Sequence, residues 1–301
     1  MKKLNLILFH SGAPLPTWLE CTFKQIRVFN PDIDIHFITD KKLVKDPLFK
    51  KYDVIAYDKD PYHSNKITKF ENMYNWPKGF WVITTTRFMY IENFLKARDL
   101  TDVYLFENDI LLYYDLSEFH DTFLRLYKHM AITPGGHDRN MTGLMFIRCW
   151  DALAAMTTFF IDIINAYGLK SLLKRYDTDM VHEMSLMKMY ELERGLEQLS
   201  YLPILPFGAQ SDNYEKFNSV FDPASWGQYV GGTAEGIPGA KPHNLYISQV
   251  LIDNPDYDVI WKKDTEGRNI PYFKYNDNYN DHEIKINNLH IHSKNLKLYM
   301  S

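Results

Sequence analysis

The chain has 301 residues, 46% of them hydrophobic, enough to bury a sizeable core as one large domain or two closely joined halves. Its formal charge of -4 excludes the broad basic field that recruits nucleic acid through phosphate neutralisation. The two cysteines, Cys21 and Cys149, are too few for a disulfide framework and point to a reducing compartment.

The opening run LNLILFH reads as a short buried strand that stops at the turn-forming SGAP. That run is interrupted by Asn5 and is too short for the apolar region of a signal peptide. TWLECTFKQIRVFN then places Trp18, Leu19, Phe23, Ile26 and Phe29 near helical spacing and ends at Asn30-Pro31. A second strand, IDIHFITD, follows. Strand, helix, strand is the signature of a parallel crossover. YDVIAYD repeats the strand pattern, and WVITTTRFMYIENFLKAR supplies a helix leading into DVYLFEND. The first third is therefore α/β, with strands ending in polar residues at one sheet edge, where ligands of such folds sit.

Beyond Leu116 the order is less regular. FHDTFLRLYKHMAIT reads as helix then strand, GLMFIRCW as a strand, and ALAAMTTFFIDIINAYG and DTDMVHEMSLMKMYELERG as helices. The former carries Asp162 and Asn165 and lacks the length of a membrane span. From Tyr201 onward, Gly, Pro and Asn accumulate in PFGAQSDN, GGTAEGIPGAKPHN and NDNYNDHE, as in long binding loops. No repeat or polar linker separates domains.

Chemistry concentrates at the end of DVYLFEND. Glu107 and Asp109 are two apart on a strand and project to the same side, where two carboxylates repel unless a proton or cation lies between them. Hard oxygen ligands in that arrangement favour Mg²⁺ or Mn²⁺; the plainer account is a solvated acidic turn. His290 and His292 alternate in NLHIHSKNL, so both can face one side of a closing strand, with Lys294 nearby. An ordinary polar strand accounts for them equally. VHEMSLMKMY has Leu186 where a zinc-protease helix needs its second histidine. Asp177, Asp179 and Glu183 near that helix start serve either as caps or as a base. TPGGHDRN offers His137, Asp138 and Arg139 at a loop tip, and WGQYVGGTAEGIPG offers Trp226, Gly232 and Thr233 without a complete phosphate-loop or dinucleotide fingerprint.

DVYLFENDILLYYDL resembles the DxD region of GT-A glycosyltransferases, with Glu-Asn-Asp as a conservative change of the first acid. FKQIRVFNPDIDIHFITD is similar to the early helix and strand of that fold, NMTGLMFIRC to its acceptor-side strand, and HIHSKNL to the C-terminal histidine and lysine segment of metal-dependent members. The resemblance implies a single Rossmann-like GT-A domain over 1–301, mixed but mainly parallel in its sheet and flanked by helices. Residues 1–118 then form a nucleotide-sugar half, and 119–301 an acceptor half with the C-terminal metal and phosphate segment. It implies a metal-dependent transferase moving a sugar from a UDP- or GDP-linked donor to a hydroxyl of a glycan or other acceptor. Mn²⁺ or Mg²⁺ is then held by Asp109, Glu107 and His292, the histidine nearer the lysine. Arg87 and Lys294 meet the diphosphate, while His10, Ser11, Asp40, Glu107 and Asn108 contact the donor. His137, Trp226, Gly232 and Thr233 are expected to contact the acceptor, and Asp179 or Asp138 to act as base. Nucleic acid and membrane spans are not expected, and a soluble protein of the cytoplasm, or of the host cytoplasm for a viral chain, is expected. Competing readings are a carbohydrate-binding protein without chemistry and a two-carboxylate glycoside hydrolase.

Overall fold

The computed structural model describes residues 3–73, 79–208, 211–231, 258–276 and 281–301. The opening apolar run is β1 (Asn5–His10), followed by α1 (Leu19–Phe29), β2 (Asp34–Thr39), α2 (Pro47–Lys51) and β3 (Val54–Asp58). After α3 (Asn65–Met73) and α4 (Phe80–Arg98), the chain enters β4 (Val103–Phe106), turns, and continues as β5 (Ile110–Leu112). Next come α5 (Leu116–Leu126), β6 (Met130–Pro134), β7 (Asn140–Ile147), α6 (Trp150–Tyr167), α7 (Leu169–Arg175), α8 (Glu183–Arg194) and β8 (Leu199–Tyr201). Short helices α9 (Tyr214–Phe217) and α10 (Trp226–Gly231) precede β9 (Asp258–Lys263), β10 (Asn269–Asn276), β11 (Asp281–Lys285) and β12 (Asn288–His290).

Among the described residues the main sheet has seven strands in the order β3-β2-β1-β4-β7-β6-β8. All run parallel except β7, which is antiparallel to both β4 and β6. From β1 the chain moves outward to β2 and β3, then returns to the other side of β1 as β4. This reversal leaves a crevice beyond the carboxyl ends of β1 and β4, the usual ligand position in open α/β sheets. By the same directions, the loop after β6 and the start of β7 lie on that edge too.

Both faces of the sheet are covered, which is why its strands read as nearly continuous apolar runs. Ile7 and Phe9 of β1, with Val103 and Leu105 of β4, join the cluster under α3, α4, α6 and α8. Their alternates Leu6, Leu8, Tyr104 and Phe106 join the cluster under α1 and α5. A third cluster lies beneath a small antiparallel sheet, β11-β10-β9, and the two-stranded ribbon of β12 with β5.

Two expectations are corrected. The region beyond Tyr201, read as loops before the closing strand, also contains β9, β10 and β11, short segments that lie among Gly, Pro and Asn. The expected helix from Asp177 starts only at Glu183: Asp177 adopts a left-handed φ of +48°, and His182 caps the helix through a reciprocal box with Ser185. Among the described residues no single helix is long and apolar enough to cross a membrane.

Candidate metal and donor site

Glu107, Asn108 and Asp109 form the turn between β4 and β5. The Glu107 N–H still bonds Gly143 O across to β7, at 3.0 Å. Asn108 pins the turn from the middle: its Nδ2 donates to Phe9 O of β1 at 3.0 Å, and its carbonyl accepts from Thr22 Oγ1 of α1 at 2.6 Å. With the middle residue thus fixed, the flanking carboxylates converge on one histidine. His290 Nε2 lies 3.3 Å from Glu107 Oε2 and 3.2 Å from Asp109 Oδ1.

His290 arrives from far along the chain because β12 pairs with β5, placing His290 opposite Ile110, and Ile291 N–H bonds Asp109 O at 3.0 Å. A buried carboxylate locks this approach. Asp222 accepts the backbone N–H groups of Ser225 (2.6 Å), Trp226 (2.8 Å), Gly227 (2.9 Å) and His290 (2.8 Å), tying the start of α10 to β12. Burial pushes the Asp222 carboxyl up, although these donors oppose the rise. The helix lies so close that a Cβ on Gly227 would stand 2.2 Å from His290 O. Gly143 of β7 makes room on the other side, where a Cβ would meet His290 Nδ1 at 2.9 Å.

The charges are arranged to keep both acids ionised. Glu107 accepts from Arg87 Nη2 at 2.5 Å and from Thr142 Oγ1 at 2.6 Å. Burial works against its ionisation, yet Arg87 and His290 hold it at about 2. Burial likewise opposes the charge of Asp109, but His290 and Lys294 hold its carboxyl well below the usual range. Lys294 bonds Asp109 Oδ2, adopts a left-handed φ of +63°, and sets its ammonium 5.5 Å from the centre of the Trp18 ring. Burial and the neighbouring His290 depress His292 to about 3. Gln228 Nε2 donates to His292 Nδ1 at 2.9 Å, leaving the neutral ring protonated on Nε2.

Ligand atoms of Glu107, Asp109 and His290 all lie within 4.8 Å of one another. Two carboxylate oxygens and an imidazole nitrogen form a donor set suited to a divalent ion, and His290 Nδ1 is buried without a hydrogen-bond partner among the described residues. The residues fit such an ion.

The other expected site residues are distributed as follows. At the ends of β1 and β2, Ser11 Oγ and Gly12 N both donate to Asp40, each at 2.8 Å, and Lys59 Nζ stands 3.7 Å from it. His10 Nε2 meets the carbonyls of Ala13 and Pro14 at 3.1 and 2.9 Å. On the β6–β7 side, Arg139 grips Asp138 through two bonds and lies 3.8 Å from Asp179, whose side chain is 83% exposed. His137 is exposed on the same loop. Trp226 is placed in the core, 1% exposed and stacked on Phe273 with centroids 4.4 Å apart. Gly232 and Thr233 lie outside the described residues. His290 rather than His292 meets the carboxylates, and Thr142, Glu183 and Asp222 add contacts that sequence spacing did not reveal. Thr142 was reachable only through the register of β7 against β4.

No protein-family model matches the chain, and no curated protein matches it by sequence. Among solved structures it is similar to mouse xyloside xylosyltransferase 1 in its apo form, at 12% identity and TM-score 0.50, covering 67% of this chain and 85% of that one. It also matches galactosyltransferase LgtC in complex with donor and acceptor sugar analogues, at 12% identity and TM-score 0.43, over 72% of this chain and 79% of that one. A third match is the apo glycosyltransferase GlyE of Streptococcus pneumoniae TIGR4, at 14% identity and TM-score 0.43, over 64% of this chain and 44% of that one. At such identities the first likeness bears on the fold alone. The chain has the GT-A fold, a mixed, mainly parallel sheet flanked by helices.

Proposed function

We propose that the chain is a glycosyltransferase that moves a hexosyl or pentosyl group from a UDP- or GDP-linked donor to a hydroxyl of a glycan or similar acceptor. The observation that carries this reading is the convergence of Glu107, Asp109 and His290, flanked by Arg87 and Lys294, beside the carboxyl ends of β1 and β4. Glu107, Asp109 and His290 would hold Mn²⁺ or Mg²⁺, which when bound neutralises charge developing on the departing diphosphate. Arg87 and Lys294 supply fixed positive charge beside the same position, an effect worth about 3 kcal/mol for a single well-placed donor. His10, Ser11, Asp40 and Asn108 line the donor side. Asp138, Asp179 and His137 stand on the loop side of the same sheet edge, where an acceptor hydroxyl would enter and a carboxylate could take its proton. This divides the work between a donor half, 1–118, and an acceptor half, 119–301, whose C-terminal segment returns His290 and Lys294 to the metal and phosphate side. Cys21 and Cys149 are free thiols, in keeping with a reducing, cytoplasmic setting.

The test is to incubate the protein with a panel of UDP- and GDP-sugars, with and without Mn²⁺, and to follow release of the nucleoside diphosphate. Release that requires the metal and falls about a thousandfold in Asp109→Ala supports the reading. Cleavage of a glycoside without any nucleotide, or sugar binding indifferent to nucleotide and metal, refutes it.

A further inference from the structure

The apolar run of α6 is broken at regular intervals: Asp151, Ala155, Thr158 and Asp162 are three or four apart and share one side of the helix. On α8, Tyr190 and Arg194 stand one turn apart in the same way. The two stripes line a groove of about 680 Å³, completed by Gln198 just before β8. Asp151 follows the end of β7 and Gln198 precedes β8, so by strand direction this end of the groove lies at the sheet edge opposite the crevice. None of its lining residues belongs to the Glu107–Asp109–His290 group.

The groove has an aromatic floor and polar walls without partners. Phe159 and Tyr190 meet edge to face, with centroids 5.4 Å apart and planes at 67°. Tyr190 is only 2% exposed, and its hydroxyl has no hydrogen-bond partner among the described residues. Nor is that oxygen one of the polar atoms sealed inside the protein, so an almost wholly buried side chain turns its single polar atom to the groove. Buried hydroxyls ordinarily find a partner within the fold. The side chains of Thr158, Asp162, Arg194 and Gln198 likewise make no hydrogen bond or ion pair among the described residues, although the Arg194 guanidinium lies 5.7 Å from the centre of the Phe159 ring.

These groups match a ligand whose hydroxyls both donate and accept. Asp162 accepts, Arg194 donates, and Thr158, Tyr190 and Gln198 do both. Phe159 and Tyr190 offer an apolar seat to the C–H face of such a ligand. With two acids against one cation, the lining disfavours a phosphate or polyanion. The volume falls in the range of small-ligand sites, about 300–1,000 Å³. We propose that the groove between α6 and α8 is a carbohydrate site separate from the donor crevice, which seats a neutral oligosaccharide on Phe159 and Tyr190 and bonds its hydroxyls through Tyr190, Asp162 and Arg194. The inference goes beyond sugar transfer and stands without it, since neither nucleotide nor metal takes part in the binding.

The test titrates the full chain, without nucleotide or metal, with lactose, maltotriose, cellotriose and chitotriose, and reads binding by saturation-transfer NMR and calorimetry. At least one of the four is expected to bind with a Kd of about 1 mM or tighter. Tyr190→Phe, which removes only the hydroxyl, should weaken that binding about fivefold, and Asp162→Ala, which removes a charged acceptor, about tenfold. Neither should lower the unfolding midpoint, and Asp162→Ala, at an exposed position, carries the test if Tyr190→Phe fails to fold. The proposal is overturned if none of the four binds, if the variants bind as wild type does, which would put the sugar elsewhere, or if inorganic phosphate binds more tightly than any of them. Protein that binds an oligosaccharide in this way yet releases no nucleoside diphosphate from any sugar nucleotide keeps this site and sinks the transfer reading alone.

Discussion

Replacing Glu183 by Gln should make the protein more stable at alkaline pH, by an amount that the burial of this side chain sets. Burial, only partly offset by Arg87 and Thr84, raises its carboxyl to about 7 from an ordinary 4.5. Below pH 4.5 both the folded and unfolded forms carry the proton. Between 4.5 and 7 the unfolded chain releases it while the folded one keeps it, so folding loses stability as pH rises through this window. At about 1.4 kcal/mol per tenfold difference in proton affinity, the loss is complete above pH 7 and amounts to about 3 kcal/mol. An amide in place of the carboxyl cannot ionise, so the variant escapes that loss. The gap in unfolding free energy between variant and wild type should widen by about 3 kcal/mol from pH 4.5 to pH 8, or roughly 5 °C in midpoint for a chain of this size. His182 and His292, depressed by burial to about 4 and about 3, give the opposite trend at acid pH, but they are present in both proteins and cancel in the difference. Urea unfolding of the pair at half-unit steps of pH measures the gap directly. A gap that stays constant across the range would show that Glu183 is not held protonated, and the reasoning about its burial would be wrong.

The two C-terminal histidines should separate cleanly. His290→Ala is expected to weaken Mn²⁺ binding, read by calorimetry, by tenfold or more, roughly the cost of removing one ligand, whereas His292→Ala, whose ring meets Gln228 and His290, should cost about tenfold less. Gly227→Ala forces a methyl group against the His290 backbone, so it should lower stability by about 3 kcal/mol and weaken Mn²⁺ binding by displacing β12; a folded variant with wild-type metal affinity would show that α10 does not set the histidine's place.

The α/β class and the position of the acids were legible in sequence because both depend on short-range rules. Strands buried on two faces must be apolar at nearly every position, so LNLILF, IHFIT and VYLF declare themselves, and the break to Glu-Asn-Asp marks the sheet edge. Strand alternation predicts Glu107 and Asp109 on one side, but they lie in the turn between β4 and β5 and converge because Asn108 pins that turn. The same rule could not choose between His290 and His292, which share a face in any extended segment. That choice was made by β12 pairing with β5 and by Asp222 holding the His290 N–H, contacts between residues remote in the chain. Trp226 shows the converse: an aromatic beside glycines looked like a sugar contact, yet the small sheet covers it with Phe273. Glu183, readable as a helix cap, became a buried acid bonded to Thr84 only because α8 packs on α4. Local spacing determines which chemistry the chain can carry, since it needs only neighbouring residues. Tertiary structure decides which of the candidate groups meet, because charge and coordination act over a few ångströms that only the fold can bring about.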